Sequence, residues 1–274
     1  MVLERLINPK TIKGKPWEMF FVGIFYSFIA IILSLWIFKG YVSIVMITLT
    51  VIASIPFVYK SIEQEEIKDE KLKKEKQLLK AHKKFILPFM YLFLGFVTTF
   101  CLVYLFFPSG MVQNIFSAQI ETITSINAFT GNFLNLNTFS AIFFNNMKIL
   151  IFCIIFSFFY GAGAIFILTW NASVMGVAIG SSIKNGLATI TGLSYFHVAG
   201  FSIMKYFLHG IPEIIAYFIA ALAGGIVSVA VTKHKLKTKA FKRTFADVVY
   251  LVMIAIVILL FAALIEVFIT PNLF

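Results

Sequence analysis

The sequence predicts an all-α, polytopic membrane bundle of about seven spans. Three observations lead there. First, of 274 residues 60% are hydrophobic and only 13% are charged, against about 25% charged in a soluble domain. Second, uncharged apolar runs such as 20–38 and 250–265 recur along the chain, approaching the roughly 20 residues needed to cross about 30 Å of hydrocarbon. Third, the basic residues are confined to particular loops, as the positive-inside rule requires.

The spans are expected near 17–38, 41–59, 85–107, 146–169, 172–193, 208–232 and 246–269. Arg5, Lys10, Lys13 and Lys15 precede the first. Its apolar run is too long for a signal-peptide core and lacks a small-residue cleavage site, so it reads as a signal anchor. The second span returns after a Lys39-Gly40 turn and contains Pro56. Lysines also fill the segment before the third span and the loop from Lys233 to Arg243, whereas 108–145 holds no Lys or Arg. Seven spans put every basic loop and the N-terminus in the cytoplasm; six would leave one basic loop outside. This distribution assigns the net charge of +11 to the membrane surface rather than to nucleic acid.

Three regions follow. Residues 1–60 form an N-terminal transmembrane hairpin. Residues 61–84 mix six acids with eight lysines and read as a charged cytosolic helical linker, with Asp69–Lys73 and Glu70–Lys74 as acid-before-base pairs four apart. Residues 85–274 form a five-span core with an external helical segment at 108–145, where Val112, Ile115, Phe116, Ile120, Ile123 and Ile126 recur at helical spacing. That segment would lie flat in the outer interface or roof the bundle.

Small residues predict where helices approach closely. Ala216, Ala220, Gly224 and Ser228 recur every fourth residue in the sixth span; Ala172, Gly176 and Gly180 do so in the fifth; Gly161 and Gly163 add a patch to the fourth. Spans four to six should therefore pack tightly. Lys184-Asn185-Gly186 has the form of a helix C-terminus, which would leave the fifth span broken or re-entrant, with an interfacial helix completing it before residue 207. Asn171 is expected as a cap at the inner turn between spans four and five.

The ionisable residues carry the functional question, because one placed in hydrocarbon costs at least about 2.5 kcal/mol. His209 and Glu213 open the sixth span four residues apart, on one helix face. Pro212 between them suits a first helical turn. Glu266 lies near the end of the seventh span, and Asn145 and Asn146 begin the fourth. Sidedness brings all five to the outer third of the bilayer, as one hydrogen-bonded cluster. Such a cluster holds helices together, docks a partner, or marks a proton, ion or lipid pathway. No HExxH motif, phosphate-binding glycine loop or nucleophile elbow is present, and Cys101 and Cys153 have no metal-ligand spacing and read as small apolar residues. No catalytic, cofactor or metal residues are expected; an intramembrane hydrolase is kept only as a remote third class, because His209 and Glu213 share a helix face.

Several motifs, in order, resemble the stage II sporulation protein M family of integral membrane proteins. They are Asn145-Asn146-Met147-Lys148 followed by a glycine-containing helix, Asn171, Gly176 and Gly180; His209-Gly210-Ile211-Pro212-Glu213 opening a small-residue helix; and the closing run from Ala263 through Glu266 to Pro271. The resemblance covers 85–274. The N-terminal hairpin and linker look like an addition similar to archaeal members. In sporulating bacteria the family resemblance implies a membrane scaffold that recruits peptidoglycan-degrading partners. For this chain it implies a non-enzymatic, multi-pass scaffold of the plasma membrane in envelope or membrane organisation. Lipids and a membrane or envelope protein are the expected partners, and a homo-oligomer is compatible. The alternative is a transporter, channel or lipid-moving protein using the broken fifth helix and the carboxylates.

Overall fold

A computed structural model describes residues 15–69, 75–130, 135–160, 163–189, 195–233 and 238–273. The elements are α1 (Glu18–Ile37), α2 (Val42–Asp69), α3 (Glu75–Phe106), α4 (Ser109–Ile115), α5 (Ser117–Thr130), α6 (Asn135–Tyr160), α7 (Ala164–Thr189), α8 (Tyr195–Lys233), α9 (Lys239–Leu264), a π-helical turn (Ile265–Ile269) and α10 (Thr270–Leu273). There is no strand among the described residues. Helices suit this chain because hydrocarbon offers no partner for an open backbone group. Six apolar stretches are long enough to cross a membrane, and α2 adds a shorter one, Val42–Val58. The protein is thus a multi-pass helical bundle.

Close backbone approach sets the order of the helices. Gly23 of α1 faces the Leu92 carbonyl and Gly95 of α3, and Gly95 in turn faces the Phe20 carbonyl, so a methyl group on either would collide with backbone. The N-terminal hairpin therefore packs directly on α3. On the other side of α3, a Cβ added at Gly176 of α7 would lie 2.8 Å from the Phe100 Cβ and 2.9 Å from the Val97 carbonyl oxygen. The Ala172-Gly176-Gly180 stripe thus serves α3, rather than spans four and six as the sequence suggested. The stripe of α8 behaves differently: Gly224 abuts the Ile154 carbonyl of α6, with the Ser157 Cβ 3.0 Å from its missing methyl position. Ala216 and Ala220, on the same stripe, are fully buried. Two separate small-residue seams therefore join α3 to α7 and α8 to α6, each bringing backbones close enough for dense dispersion contact.

The fifth span is not broken. Helix α7 runs without interruption from Ala164 through Lys184, Asn185 and Gly186 to Thr189, about 39 Å at 1.5 Å per residue. Tertiary packing overrides the stop signal, since α8 fills the space that a Gly186 side chain would occupy: Val198 Cγ1 lies 2.7 Å from its ideal Cβ position. Ser182 Oγ donates to Ser202 Oγ at 3.0 Å one turn away, fixing the antiparallel register. Lys184 is exposed and holds its ammonium 6.0 Å from the Tyr104 ring centroid.

The turn between the fourth and fifth spans also moves. Helix α6 ends at Tyr160 and α7 starts at Ala164, so Gly163 belongs to a helix junction rather than to a packing patch within span four. Gly163 sits in the turn, and Gly161 lies outside the described residues. Asn171 is consequently not a cap: it lies within α7, and its Nδ2 donates to the Ile167 carbonyl at 2.8 Å. The expected interfacial helix before span six is continuous with it, forming the 39-residue α8 with Pro212 inside. Pro212 is thus not in a first turn.

The charged segment 61–84 extends two helices, since α2 continues to Asp69 and α3 begins at Glu75. The Asp69–Lys73 and Glu70–Lys74 pairs involve residues outside the described ones. Helices α4 and α5 pack onto the bundle, the arrangement that the roofing alternative describes. Val112, Ile115, Phe116 and Gln119 are buried, and the Phe116 ring packs against Phe100 and Tyr104 of α3 at centroid distances of 6.2 and 6.0 Å. They cover the outer end of the short α2.

Candidate functional site

The site is built where α6, α8 and the π turn meet. Parallel register between α6 and α8 follows from two contacts eleven residues apart, Asn146 on Glu213 and Ser157 beside Gly224. Asn146, 7% exposed, donates from Nδ2 to Glu213 Oε1 at 2.6 Å. The short distance is that of a charge-assisted or otherwise strong hydrogen bond. Asn145 is exposed, because adjacent helical residues point in different directions. It does not join the contact.

Glu266 reaches the same place from the π turn, and its carboxyl is within hydrogen-bonding reach of that of Glu213. The cause of the turn is in the sequence. Pro271 has no N–H for the Val267 carbonyl, and its ring would crowd that carbonyl in an α-helix. The chain widens by one residue: the Thr270 N–H bonds to the Ile265 carbonyl, and its Oγ1 donates to the same oxygen at 3.1 Å. Phe268 of the turn packs against Phe139 of α6 at a centroid distance of 6.3 Å. A single-turn π segment of this kind often marks a functional position in a helix.

Tyr217 lies one turn after Glu213 on the same face of α8. It is 1% exposed, and its hydroxyl has no hydrogen-bond partner. The Glu213 and Glu266 carboxyls and the Cys153 thiol are its electrostatic neighbours. The sequence analysis missed it; the available signal was the spacing of 213 and 217. His209, one turn on the other side of Glu213, stands next to Tyr206 at a centroid distance of 6.3 Å, and its buried Nδ1 has no partner. It shares the helix face without entering the Asn146–Glu213–Glu266 contacts.

Asn146 lies near the middle of the apolar stretch Asn137–Phe159, and Glu213 near the middle of Tyr195–Ser228. Glu266 lies toward the end of the apolar stretch Phe241–Leu273. Among the described residues, no group of three or more His, Cys, Asp or Glu side chains is arranged to hold a metal ion.

A second buried polar contact went unread in the sequence. Ser43 Oγ donates to Gln119 Oε1 at 2.7 Å, Gln119 Nε2 donates to Ser173 Oγ at 3.1 Å, and Ser173 Oγ donates to the Trp170 carbonyl at 2.7 Å. The Ala118 N–H donates to Ser43 Oγ at 3.3 Å. This chain of bonds ties α5 to α2 and α7. Gln119 falls on the face of Val112, Ile115 and Phe116, which was the sign that it points inward.

Comparison with known proteins points to one family. The model of the stage II sporulation protein M family matches residues 85–271. An uncharacterised protein of Methanocaldococcus jannaschii is 34% identical over 139 residues, covering 49% of this chain and 71% of the relative. No solved structure matches.

Proposed function

Because the chain belongs to the stage II sporulation protein M family, we propose that it is a non-enzymatic scaffold of the plasma membrane that organises a membrane or envelope protein partner. The observation that carries this reading is the unbroken α7, seated by backbone contact on α3 and by side-chain contact on α8. A broken fifth helix was the ground for a transport pathway, and the continuous helix removes it. What remains favours a rigid platform. The outer part of α8 presents Tyr195, Phe196, Phe201 and Met204 as exposed large apolar residues, and these are the side chains assigned to lipid and to the partner.

The rival reading, an ion or lipid pathway, retains one supporting observation, the carboxyl pair between α8 and the π turn. The two separate by experiment. Photocrosslinking residues at Phe196 and Phe201, in native membranes, should capture one and the same partner, and a residue at Trp36 on α1 should not. Ion or lipid flux in proteoliposomes containing the purified protein alone, abolished by Glu213→Gln, would overturn the scaffold reading.

A further inference from the structure

The Glu213–Glu266 contact has a chemical requirement. An ionised carboxylate only accepts hydrogen bonds, so two carboxyl groups bond to each other only when a proton lies between them. Asn146 Nδ2 already supplies one donor, to Glu213 Oε1. Among the described residues no lysine or arginine neutralises either group: Lys148 is exposed on α6, and Lys205 faces His209. Two unneutralised negative charges inside an apolar bundle would be costly.

We propose that Glu213 and Glu266 form a membrane-embedded binding site for one exchangeable proton, with Asn146 orienting Glu213 and the Tyr217 hydroxyl serving the deprotonated state. The independent observation is Tyr217 itself. A fully buried hydroxyl without a partner is an expense that native proteins avoid. This one lies one turn from Glu213 on the same helix face, with both carboxyls as electrostatic neighbours. While a proton bridges Glu213 and Glu266, their acceptor demand is met by that proton and by Asn146. When it leaves, the pair needs a further donor, and Tyr217 is the side chain in place to give one.

The polar groups around the pair are Asn146 from α6 and Tyr206 and Tyr217 from α8, with Cys153 of α6 near Tyr217, His209 one turn from Glu213 and Lys205 beyond it. The π turn places Glu266 on the most adjustable backbone of its helix, since a π segment and an α segment differ by one residue of register. Proton loss and a small movement of residues 265–269 are thereby linked. This inference stands independently of the scaffold reading, because it concerns the interior of the bundle and needs no partner.

Dicyclohexylcarbodiimide tests it. The reagent partitions into hydrocarbon and requires a protonated carboxyl: the acid's proton goes to a carbodiimide nitrogen, and the carboxylate oxygen adds to its central carbon. The full chain in lipid nanodiscs should gain one adduct, mapped by mass spectrometry to Glu213 or Glu266, and lose that labelling as pH rises. A water-soluble carbodiimide should leave both residues unmodified. Glu213→Gln with Glu266→Gln should abolish the adduct while keeping the fold. Tyr217→Phe removes the donor that serves the deprotonated form, so labelling should persist to higher pH in that variant, a change that a purely structural hydroxyl would not produce. Absence of any adduct in folded wild-type protein, labelling independent of pH, or protection by sodium at fixed pH would each overturn the proposal.

Discussion

Asn146 and Glu213 are joined by a 2.6 Å hydrogen bond between α6 and α8, and they occupy matching positions on two helices that run in the same direction. A parallel pair that far apart in sequence has no loop to set its register, so this bond and the Gly224 contact set it. Asn146→Ala removes the donor and leaves the glutamate buried. The expected loss is about 1–3 kcal/mol, the range for an orphaned buried group. Thermal unfolding in detergent should show a lower midpoint, and Glu213→Gln, which retains an acceptor for Asn146, should lose less.

Gly224→Val should be among the more damaging substitutions in the bundle, since its side chain would enter the space held by the Ile154 carbonyl and Ser157. Overpacking of this type costs about 1–3 kcal/mol. Gly200→Ala is the control: it lies in the same helix with nothing within 4 Å of the added methyl group. It should be neutral or stabilising, because glycine costs a helix about 0.5–1 kcal/mol relative to alanine.

Gln119→Leu breaks the bonds to Ser43 and Ser173 together. Hydrogen bonds between membrane helices average about 0.6 kcal/mol, so the loss should be about 1 kcal/mol. Combining Gln119→Ala with Ser173→Ala should cost less than the two separate losses added, because both remove the same contact. Strict additivity in denaturant titrations would show that the contact carries no energy.

Helical continuity through Gly186 is open to crosslinking. An ideal Cβ at that position lies 4.0 Å from the Val198 Cβ, within the roughly 3.5–4.5 Å span of a disulfide. With Cys101 and Cys153 replaced by Ala, Gly186→Cys plus Val198→Cys should oxidise readily, read as a mass loss of two hydrogens. A helix ended at Lys184 would separate the pair and leave free thiols.

The membrane character and the glycine stripes were legible because hydropathy and residue size act locally. The placement of Glu266 beside Glu213 was legible for another reason, since loop charge sets orientation, and orientation limits which helix ends share a side. The fifth span was misread because Lys184-Asn185-Gly186 is a valid stop signal in isolation, and only the neighbouring Val198 reveals why the helix continues. The start of the sixth-span helix was misread for a related reason. The segment before His209 looked polar enough for a surface helix, whereas α8 runs through it from Tyr195. The inward face of Gln119 was readable from its spacing to Val112, Ile115 and Phe116, but its bonds were not, because Ser43 and Ser173 lie in two other helices and no local pattern encodes a bond across that separation.

The cover over α2 has a consequence for biosynthesis. Ser43 emerges from the ribosome well before Gln119, and Gln119 before Ser173. The shortest apolar helix therefore enters the bilayer with its outer hydroxyl still without its final partners, and it is completed only after five later helices have at least begun to insert. Truncated chains ending between α3 and α5 should leave this hairpin poorly anchored and exposed to membrane proteases, while chains that reach past residue 189 should resist them.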